Sequence, residues 1–245
     1  MPSAEDLLTP WLQAAGDKPP DDASRSKKQA YSQSVSANAA LAIATALQDR
    51  GLKGARPAPP GELNSSGAER RMAGGIGAKR VDVTWATEEG GLLLGISIKS
   101  INFRDLRSGN FQKNLTNRRG DMLFESFTLH RRFPYAVLGG LLFLDHEAKH
   151  DETPRRRSTF LNAHSRFQLF TGREDPGGRD EQYERLYIVL LNASSSHAQV
   201  QAYAVGRPQC RVPIAQVLDE LVELVAIRNP DFYEYKEGRL VTIGS

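Results

Sequence analysis

Cysteine is almost absent from this sequence: Cys210 is the only one among 245 residues. A single cysteine excludes an internal disulfide bond and any zinc site built from several cysteines. Long apolar runs are also missing, since none reaches the roughly 18 residues that a membrane-spanning helix needs. The N-terminal segment lacks the apolar core of a secretory signal. We therefore expect a soluble, cytoplasmic protein with no membrane partner.

Several common catalytic motifs are missing too. The sequence has no Gly-x-Ser-x-Gly elbow, and the pair His146 and His150 lacks the His-Glu-x-x-His order of zinc proteases. The segment GGIGAKR is not a phosphate loop, because Arg80 rather than Ser or Thr follows Lys79. Its glycines favour a tight turn, or a close approach of the backbone to a phosphate.

The charge balance is mildly basic. The chain has 32 Lys and Arg against 29 Asp and Glu, a net charge of +3, and a sequence pI near 9.0. This excess is compatible with a polyanionic partner but does not require one. The basic residues are clustered, as at Arg155–Arg157 and in the segment KNLTNRRGD. Such clusters are usually solvated, and the second is the better candidate for contacting nucleic acid.

Periodic apolar positions predict alternating helices and strands. A short helical arm and a linker are expected in residues 1–26, followed by a single α/β domain in residues 27–245. Helices are predicted at Lys27–Arg50, Asn114–Arg132, Ser158–Phe170 and Ile214–Ile227. Strands are predicted at Val81–Thr87, Leu92–Lys99 and Tyr135–Asp145, and in the segments RLYIVLLNA and AQVQAYAV. This order suggests a mixed sheet with helices on both faces.

The stretch VDVTWATEEGGLLLGISIKS, from Val81 to Ser100, predicts a β-hairpin with charged residues at one end. Asp82 begins the first strand and Lys99 closes the second, so a carboxylate and an ammonium should meet at one edge of a sheet. Ser97 lies two residues before Lys99 and points to the same face. Such a pair can bind a divalent cation and activate water beside a phosphate. A structural ion pair would give the same pattern.

This hairpin resembles the core of the PD-(D/E)XK nuclease superfamily, which includes many restriction endonucleases. The resemblance covers the chain from about Gly67 to Asp145. It implies a three-layer α/β/α, restriction-endonuclease-like core with a central mixed β-sheet. It also implies that Asp82 and the backbone carbonyl of Ile98 hold a metal ion. Lys99 would then orient the attacking water or stabilise charge at the phosphate.

The sequence departs from that family at Ser97, which stands where the second acid of the catalytic site is expected. A Ser-x-Lys version resembles a subgroup in which another element supplies the acid, and a metal needs only oxygens at the right points in space. Glu69 resembles the helix-borne glutamate of the family and is the first choice for this acid, although an exposed charge would look the same. Glu125 is the second choice as a metal ligand. It belongs to a polar stripe that either lines a groove or faces solvent: Asn114, Asn117, Arg118, Asp121, Glu125, Thr128 and Arg132.

Taken together, these residues predict an endonuclease that needs Mg²⁺ or Mn²⁺, cleaves double-stranded DNA and acts as a homodimer. Restriction of foreign DNA is the biological role that the resemblance implies. The residues expected to contact nucleic acid are Lys113, Asn117, Arg118, Arg119 and Arg132. The missing acid at Ser97 leaves open a DNA-binding or scaffold module that has this fold without catalysis. RNA or modified DNA would fit the same residues as a substrate.

Overall fold

A computed structural model describes residues 4–58, 70–74, 77–192 and 198–244. The helices within these ranges are α1 (Ala4–Gln13), α2 (Arg25–Asp49), α3 (Leu115–Arg132), α4 (Thr159–Phe167) and α5 (Ile214–Arg228). The strands are β1 (Arg70–Gly74), β2 (Gly77–Val81), β3 (Val83–Thr87), β4 (Gly91–Ile101), β5 (Val137–Asp145), β6 (Arg185–Asn192), β7 (Gln199–Ala204), β8 (Arg211–Val212), β9 (Tyr233–Lys236) and β10 (Arg239–Thr242). The predicted helices and strands are confirmed, with ends that differ by a few residues, apart from the predicted strand Val81–Thr87. That strand is interrupted at Asp82, because Val81 ends β2 and β3 begins only at Val83.

Serine caps set the start of two helices. The hydroxyl of Ser24 accepts a hydrogen bond from the backbone N–H of Lys27, and that of Ser158 accepts one from Leu161. Each bond satisfies an amide that the first helical turn leaves without a partner. α2 consequently begins before the predicted Lys27. α3 ends just before Pro134, because a proline disfavours helical geometry in the residue that precedes it.

Six strands form the central sheet in the order β3-β4-β5-β6-β7-β8. Strands β4, β5 and β6 run parallel, whereas β3, β7 and β8 are antiparallel to their neighbours. Parallel neighbours require crossover connections, and these contain α3 between β4 and β5 and α4 between β5 and β6. β5 is buried along its whole length, as expected for a strand covered on both faces. The predicted mixed sheet is thus confirmed.

Apolar side chains of the sheet enter two cores on opposite faces. In β4, Leu94, Ile96 and Ile98 pack into the core that includes α1, α2 and α5. Ile101 of β4 and Leu142 of β5 pack into the core that includes α3 and α4. Helices therefore cover both faces of the sheet. Within the described part of the chain, no helix is long and apolar enough to cross a membrane.

The predicted N-terminal arm contributes to the same core as the rest of the chain. Leu8 and Leu12 of α1 are buried in the core formed by α2, α5 and the sheet. Lys18, in the segment between α1 and α2, forms an ion pair with Asp145 at the end of β5, with 2.8 Å between Nζ and Oδ2. The arm is thus packed and ion-paired onto the residues assigned to the domain.

Two short hairpins, β1–β2 and β9–β10, were not predicted as such. The second packs against the end of α2, where the backbone N–H of Leu240 donates to the carbonyl of Arg50 at 2.8 Å. Gly51 has a φ of 95°, and a Cβ there would lie 2.3 Å from the Leu240 carbonyl oxygen. This close approach of two backbones requires glycine.

Candidate active site

The β3–β4 hairpin places Asp82 at a corner of the sheet. The last pair of the ladder joins Val83 to Ile96, and Asp82 directly precedes that pair. Its carboxylate Oδ2 accepts a hydrogen bond from the backbone N–H of Ile98, with 2.6 Å between N and O. The N–H and C=O of one strand residue point to the same edge, so the Ile98 carbonyl faces the side on which Asp82 lies. A carboxylate and a carbonyl thus meet at this corner.

Lys99 contacts two carboxylates from different elements. Its Nζ lies 3.5 Å from Asp82 Oδ2 and 3.1 Å from Glu125 Oε2 of α3. The side chains of Asp82, Lys99 and Glu125 are only 15%, 17% and 8% exposed, respectively. Exclusion of water strengthens these attractions relative to a surface pair and also makes it costly to break one of them. We call Asp82, Lys99 and Glu125 the acid–lysine triad.

Glu125 enters the site from the inner side of α3. Along the polar stripe of this helix, Glu125 and Thr128 are buried, whereas Asn117 and Asp121 are exposed. The stripe therefore runs from solvent into the protein, and it is not the fully solvated face that the sequence also allowed. Glu69, the first choice for the missing acid, lies outside the described residues.

Burial and charge together set the protonation of the triad. Burial by itself lowers the pKa of Lys99, but the carboxylates of Glu125 and Asp82 outweigh it, and the pKa of Lys99 lies above its ordinary value. Burial raises the pKa of Glu125, and the nearby ammonium of Lys99 offsets only part of this rise. Lys99 is consequently an ammonium ion at neutral pH.

The triad has oxygen atoms that a metal ion could use. Glu125 Oε1 and Ser97 Oγ are buried and have no partner with good hydrogen-bond geometry among the described residues, an arrangement that is rare for buried oxygens. Ser97 is nevertheless close enough to both Glu125 and Tyr183 to lower the pKa of each through its hydroxyl. Hard cations take carboxylate, carbonyl and hydroxyl oxygens, so these atoms, with Asp82 and the Ile98 carbonyl, fit Mg²⁺ or Mn²⁺. The described residues contain no group of three acids, histidines or cysteines around one point. Mg²⁺ typically uses one or two carboxylates and keeps several waters.

Tyr183 adjoins the site and was not found from the sequence. Its hydroxyl donates to the backbone carbonyl of Met122, with 2.9 Å between the oxygens. Burial, and then the negative charge of Glu125, raise the pKa of Tyr183 well above its ordinary value, so that the phenol stays neutral. The neutral ring of Tyr183 therefore makes the surroundings of the triad less polar. A tyrosine next to a predicted strand gives no sign of this role in the sequence.

The predicted nucleic-acid contacts fall into two groups. Lys113 and Arg118 line a cavity of about 860 Å³ beside the end of β4. Arg118 Nε donates to the carbonyl of Ser100 at 3.3 Å, and Ser100 follows Lys99, so this cavity adjoins the triad. The other predicted contacts lie elsewhere on α3: Asn117, Arg119 and Arg132.

Comparisons with models of known protein families, with curated protein sequences and with solved structures found no match. The functional conclusion below therefore rests on the triad and on the residues around it.

Proposed function

We propose that this protein is a metal-dependent endonuclease that hydrolyses phosphodiester bonds in DNA at the acid–lysine triad. The observation that carries the proposal is the position of Lys99, whose ammonium lies between the carboxylates of Asp82 and Glu125 at the edge of the sheet. Acids and a lysine that converge in this way resemble the site of PD-(D/E)XK nucleases. Glu125 takes the place of the acid that Ser97 does not provide.

The residues of the site have distinct roles in this proposal. Asp82 and Glu125, with the carbonyl of Ile98, would hold Mg²⁺ or Mn²⁺. Such an ion supplies a Lewis acid that neutralises phosphate charge and lowers the pKa of bound water. The bond from the Ile98 N–H fixes the Asp82 carboxylate in place. The free oxygen of Glu125 is available because its other oxygen already pairs with Lys99.

The charge of Lys99 decides what this residue can do. In the metal-free protein, the carboxylates of Glu125 and Asp82 outweigh burial and raise the pKa of Lys99, so this residue is an ammonium ion. In this charged form, Lys99 positions a nucleophile through hydrogen bonds and stabilises the negative charge that develops on the phosphate. In this proposal, the protein has a restriction-endonuclease-like core and acts on foreign double-stranded DNA as a homodimer.

A second function, a binding module without catalysis, is favoured by one observation. Both carboxylates of the triad already pair with Lys99, and the described residues offer no third acid beside them. An ion pair that is satisfied in this way can hold a fold together without binding a metal. The basic residues of α3 would then bind nucleic acid without cleaving it.

Incubation of the purified protein with plasmid and phage DNA in Mg²⁺, Mn²⁺ or EDTA separates these functions. The nuclease proposal predicts discrete fragments that require the metal and disappear in Lys99→Met, while the exposed-lysine control Lys53→Met keeps cutting. Salt-sensitive DNA binding without cleavage in any metal would favour the binding module. Neither binding nor cleavage would leave the triad as a structural ion pair.

A further inference from the structure

The cavity beside the triad is more positive than the chain as a whole. Six of its lining residues are cationic and one, Asp105, is acidic, which gives a net charge of +5 where the whole chain has +3. The cationic residues come from α2, from the segment that connects β4 to α3, and from α3 itself: Arg25, Lys28, Arg104, Arg107, Lys113 and Arg118. Such a concentration of one sign in a concave site attracts anions.

Part of this positive charge is not neutralised by the protein. Asp105 pairs with Lys113, with 2.5 Å between Oδ2 and Nζ, and Arg104 pairs with Glu147 outside the lining. The side chains of Arg25 and Arg107 are exposed and have no ion pair or side-chain hydrogen bond among the described residues. Two guanidinium groups are therefore available to bind a phosphate through paired N–H donors.

The cavity also has an apolar part. Leu106 is 67% exposed and lies in the lining together with the half-buried Phe103. Leu106 and Phe103 therefore give one side of this cationic cavity an apolar surface. A ligand that is anionic at one end and apolar or flat at the other would complement both sides. A nucleotide has this chemistry, because its phosphate takes guanidinium groups and its base stacks on flat or apolar side chains.

We infer that this cavity binds a nucleotide unit, with its phosphate on Arg25 and Arg107 and its base against Leu106 and Phe103. The cavity volume of about 860 Å³ lies in the range of small-ligand sites and is sufficient for a single nucleotide unit. Arg118 links the cavity to the triad through its bond to the carbonyl beside Lys99. The inference rests on the proposed function in one respect: the nucleotide would belong to an unpaired segment of the nucleic acid that the protein cleaves.

Fluorescence anisotropy of a short fluorescein-labelled oligothymidylate, with the full chain in EDTA, tests binding when no metal is present. Because each charge-assisted bond contributes about one order of magnitude, the double variant Arg25→Gln/Arg107→Gln should bind about a hundredfold more weakly. The matched control Arg155→Gln/Arg157→Gln removes the same charge from another exposed cluster and should change the affinity by less than about threefold. Equal weakening by both double variants would overturn the inference, because it would show only diffuse attraction to a basic surface.

Competition experiments identify the ligand. Displacement of the probe by thymidine monophosphate, or by unlabelled oligothymidylate alone, supports the inference and distinguishes a free nucleotide from a strand segment. Leu106→Ser should weaken binding of the probe and leave inorganic tripolyphosphate unaffected. The inference fails if tripolyphosphate competes as well as the oligonucleotide and Leu106→Ser has no effect. Binding only to vesicles of phosphatidylcholine and phosphatidylserine would also overturn it.

The proposed function and this inference can fail separately. Lys99→Met should retain probe binding, because Lys99 is absent from the cavity lining. A chain that binds the probe but never cleaves DNA would leave the cavity in place and refute the nuclease. If the wild type cleaves DNA but Arg25→Gln/Arg107→Gln binds the probe as tightly as the wild type, the nuclease is supported and the assignment of the cavity is refuted.

Discussion

At the scale of single residues, Glu125 carries most of the new information. It is buried, pairs with Lys99 through Oε2 and leaves Oε1 without a partner among the described residues. If this oxygen is a metal ligand, Glu125→Gln should weaken Mn²⁺ binding by a factor of about ten or more. Substitution of residues that merely hydrogen-bond to metal ligands already lowers metal affinity by this factor. Electron paramagnetic resonance of free Mn²⁺ measures the affinity. Glu174→Gln, on an exposed acid, is the control, and equal Mn²⁺ affinities in both variants would contradict the assignment.

His164 makes stability depend on pH. It is buried on α4, and its Nδ1 accepts a hydrogen bond from the backbone N–H of Gly206 at 3.1 Å. Burial lowers the pKa of His164 from 6.5 to about 4. His164 therefore binds a proton more readily in the unfolded chain than in the folded one. The stability that comes from neutral His164 is fully present above about pH 6.5. As pH falls toward 4, the free energy of unfolding decreases by up to about 3 kcal/mol.

Urea unfolding of the wild type and His164→Asn at about pH 7 and about pH 4.5 tests this contribution. The amide oxygen of asparagine can still accept from Gly206 but does not titrate. The wild type should lose more free energy of unfolding than the variant on acidification. Parallel losses in the two proteins would show that another group causes the acid sensitivity.

At the scale of secondary-structure elements, the joint between α2 and the β9–β10 hairpin depends on Gly51. A Cβ at this position would meet the backbone of Leu240, and its φ is positive. Gly51→Ala should lower the free energy of unfolding by about 2 kcal/mol or more, from strained backbone and displaced hairpin together. Gly54 has a similar φ, but a Cβ there would have no atom within 4 Å. The control Gly54→Ala should therefore lower the free energy of unfolding by only about 1 kcal/mol. Similar urea midpoints for the two variants would contradict the steric account.

Patterns along the chain predicted the elements well, because alternation and helical spacing are local properties. The hairpin, its charged end and the helix from Leu115 all follow from such patterns. The C-terminal hairpin was missed, since its strands are short and its turn uses Glu237, at a φ of 50°, with Gly238. This pair is a weaker turn signal than Asn-Gly or Asp-Gly.

The site was only partly predictable for a different reason. Helical periodicity shows which residues share a face of α3, but it does not show what packs on that face. The burial of Glu125 depends on Lys99 and Tyr183, which come from β4 and from the residues just before β6. Likewise, Arg25 and Arg107 line the same cavity although they are far apart in the chain, because α2 packs against β4. Contacts between distant segments of this kind leave no trace in a single sequence.

At the scale of the whole molecule, a buried ionic cluster joins α5 to the central sheet. Glu184, fully buried before β6, accepts hydrogen bonds from Arg173 at 3.2 Å, from Arg228 of α5 at 2.6 Å and from the backbone N–H of Leu138 at 2.6 Å. Glu184→Gln would leave the buried guanidinium group of Arg228 without its anion, and that of Arg173 with only Asp180 at 3.9 Å. Its free energy of unfolding in urea should fall by about 3–5 kcal/mol.

An exposed acid provides the comparison for this cluster. Glu174 pairs with Arg185 at the surface, with its side chain 69% exposed. Glu174→Gln should change the free energy of unfolding by less than about 1 kcal/mol, because solvent screens such pairs. A comparable loss in Glu174→Gln and Glu184→Gln would show that the buried cluster does not hold α5 and the sheet together.

The central claim is that the acid–lysine triad cleaves DNA with the help of a metal ion. The most direct measurement is the rate of plasmid cleavage in Mg²⁺ by the wild type, by Glu125→Gln and by the control Glu174→Gln, with DNA affinity determined in parallel. The account predicts cleavage by the wild type and the control, and a loss of at least about a hundredfold in Glu125→Gln with DNA affinity retained. Undiminished cleavage by Glu125→Gln, or no cleavage by a wild type that binds DNA, would contradict it.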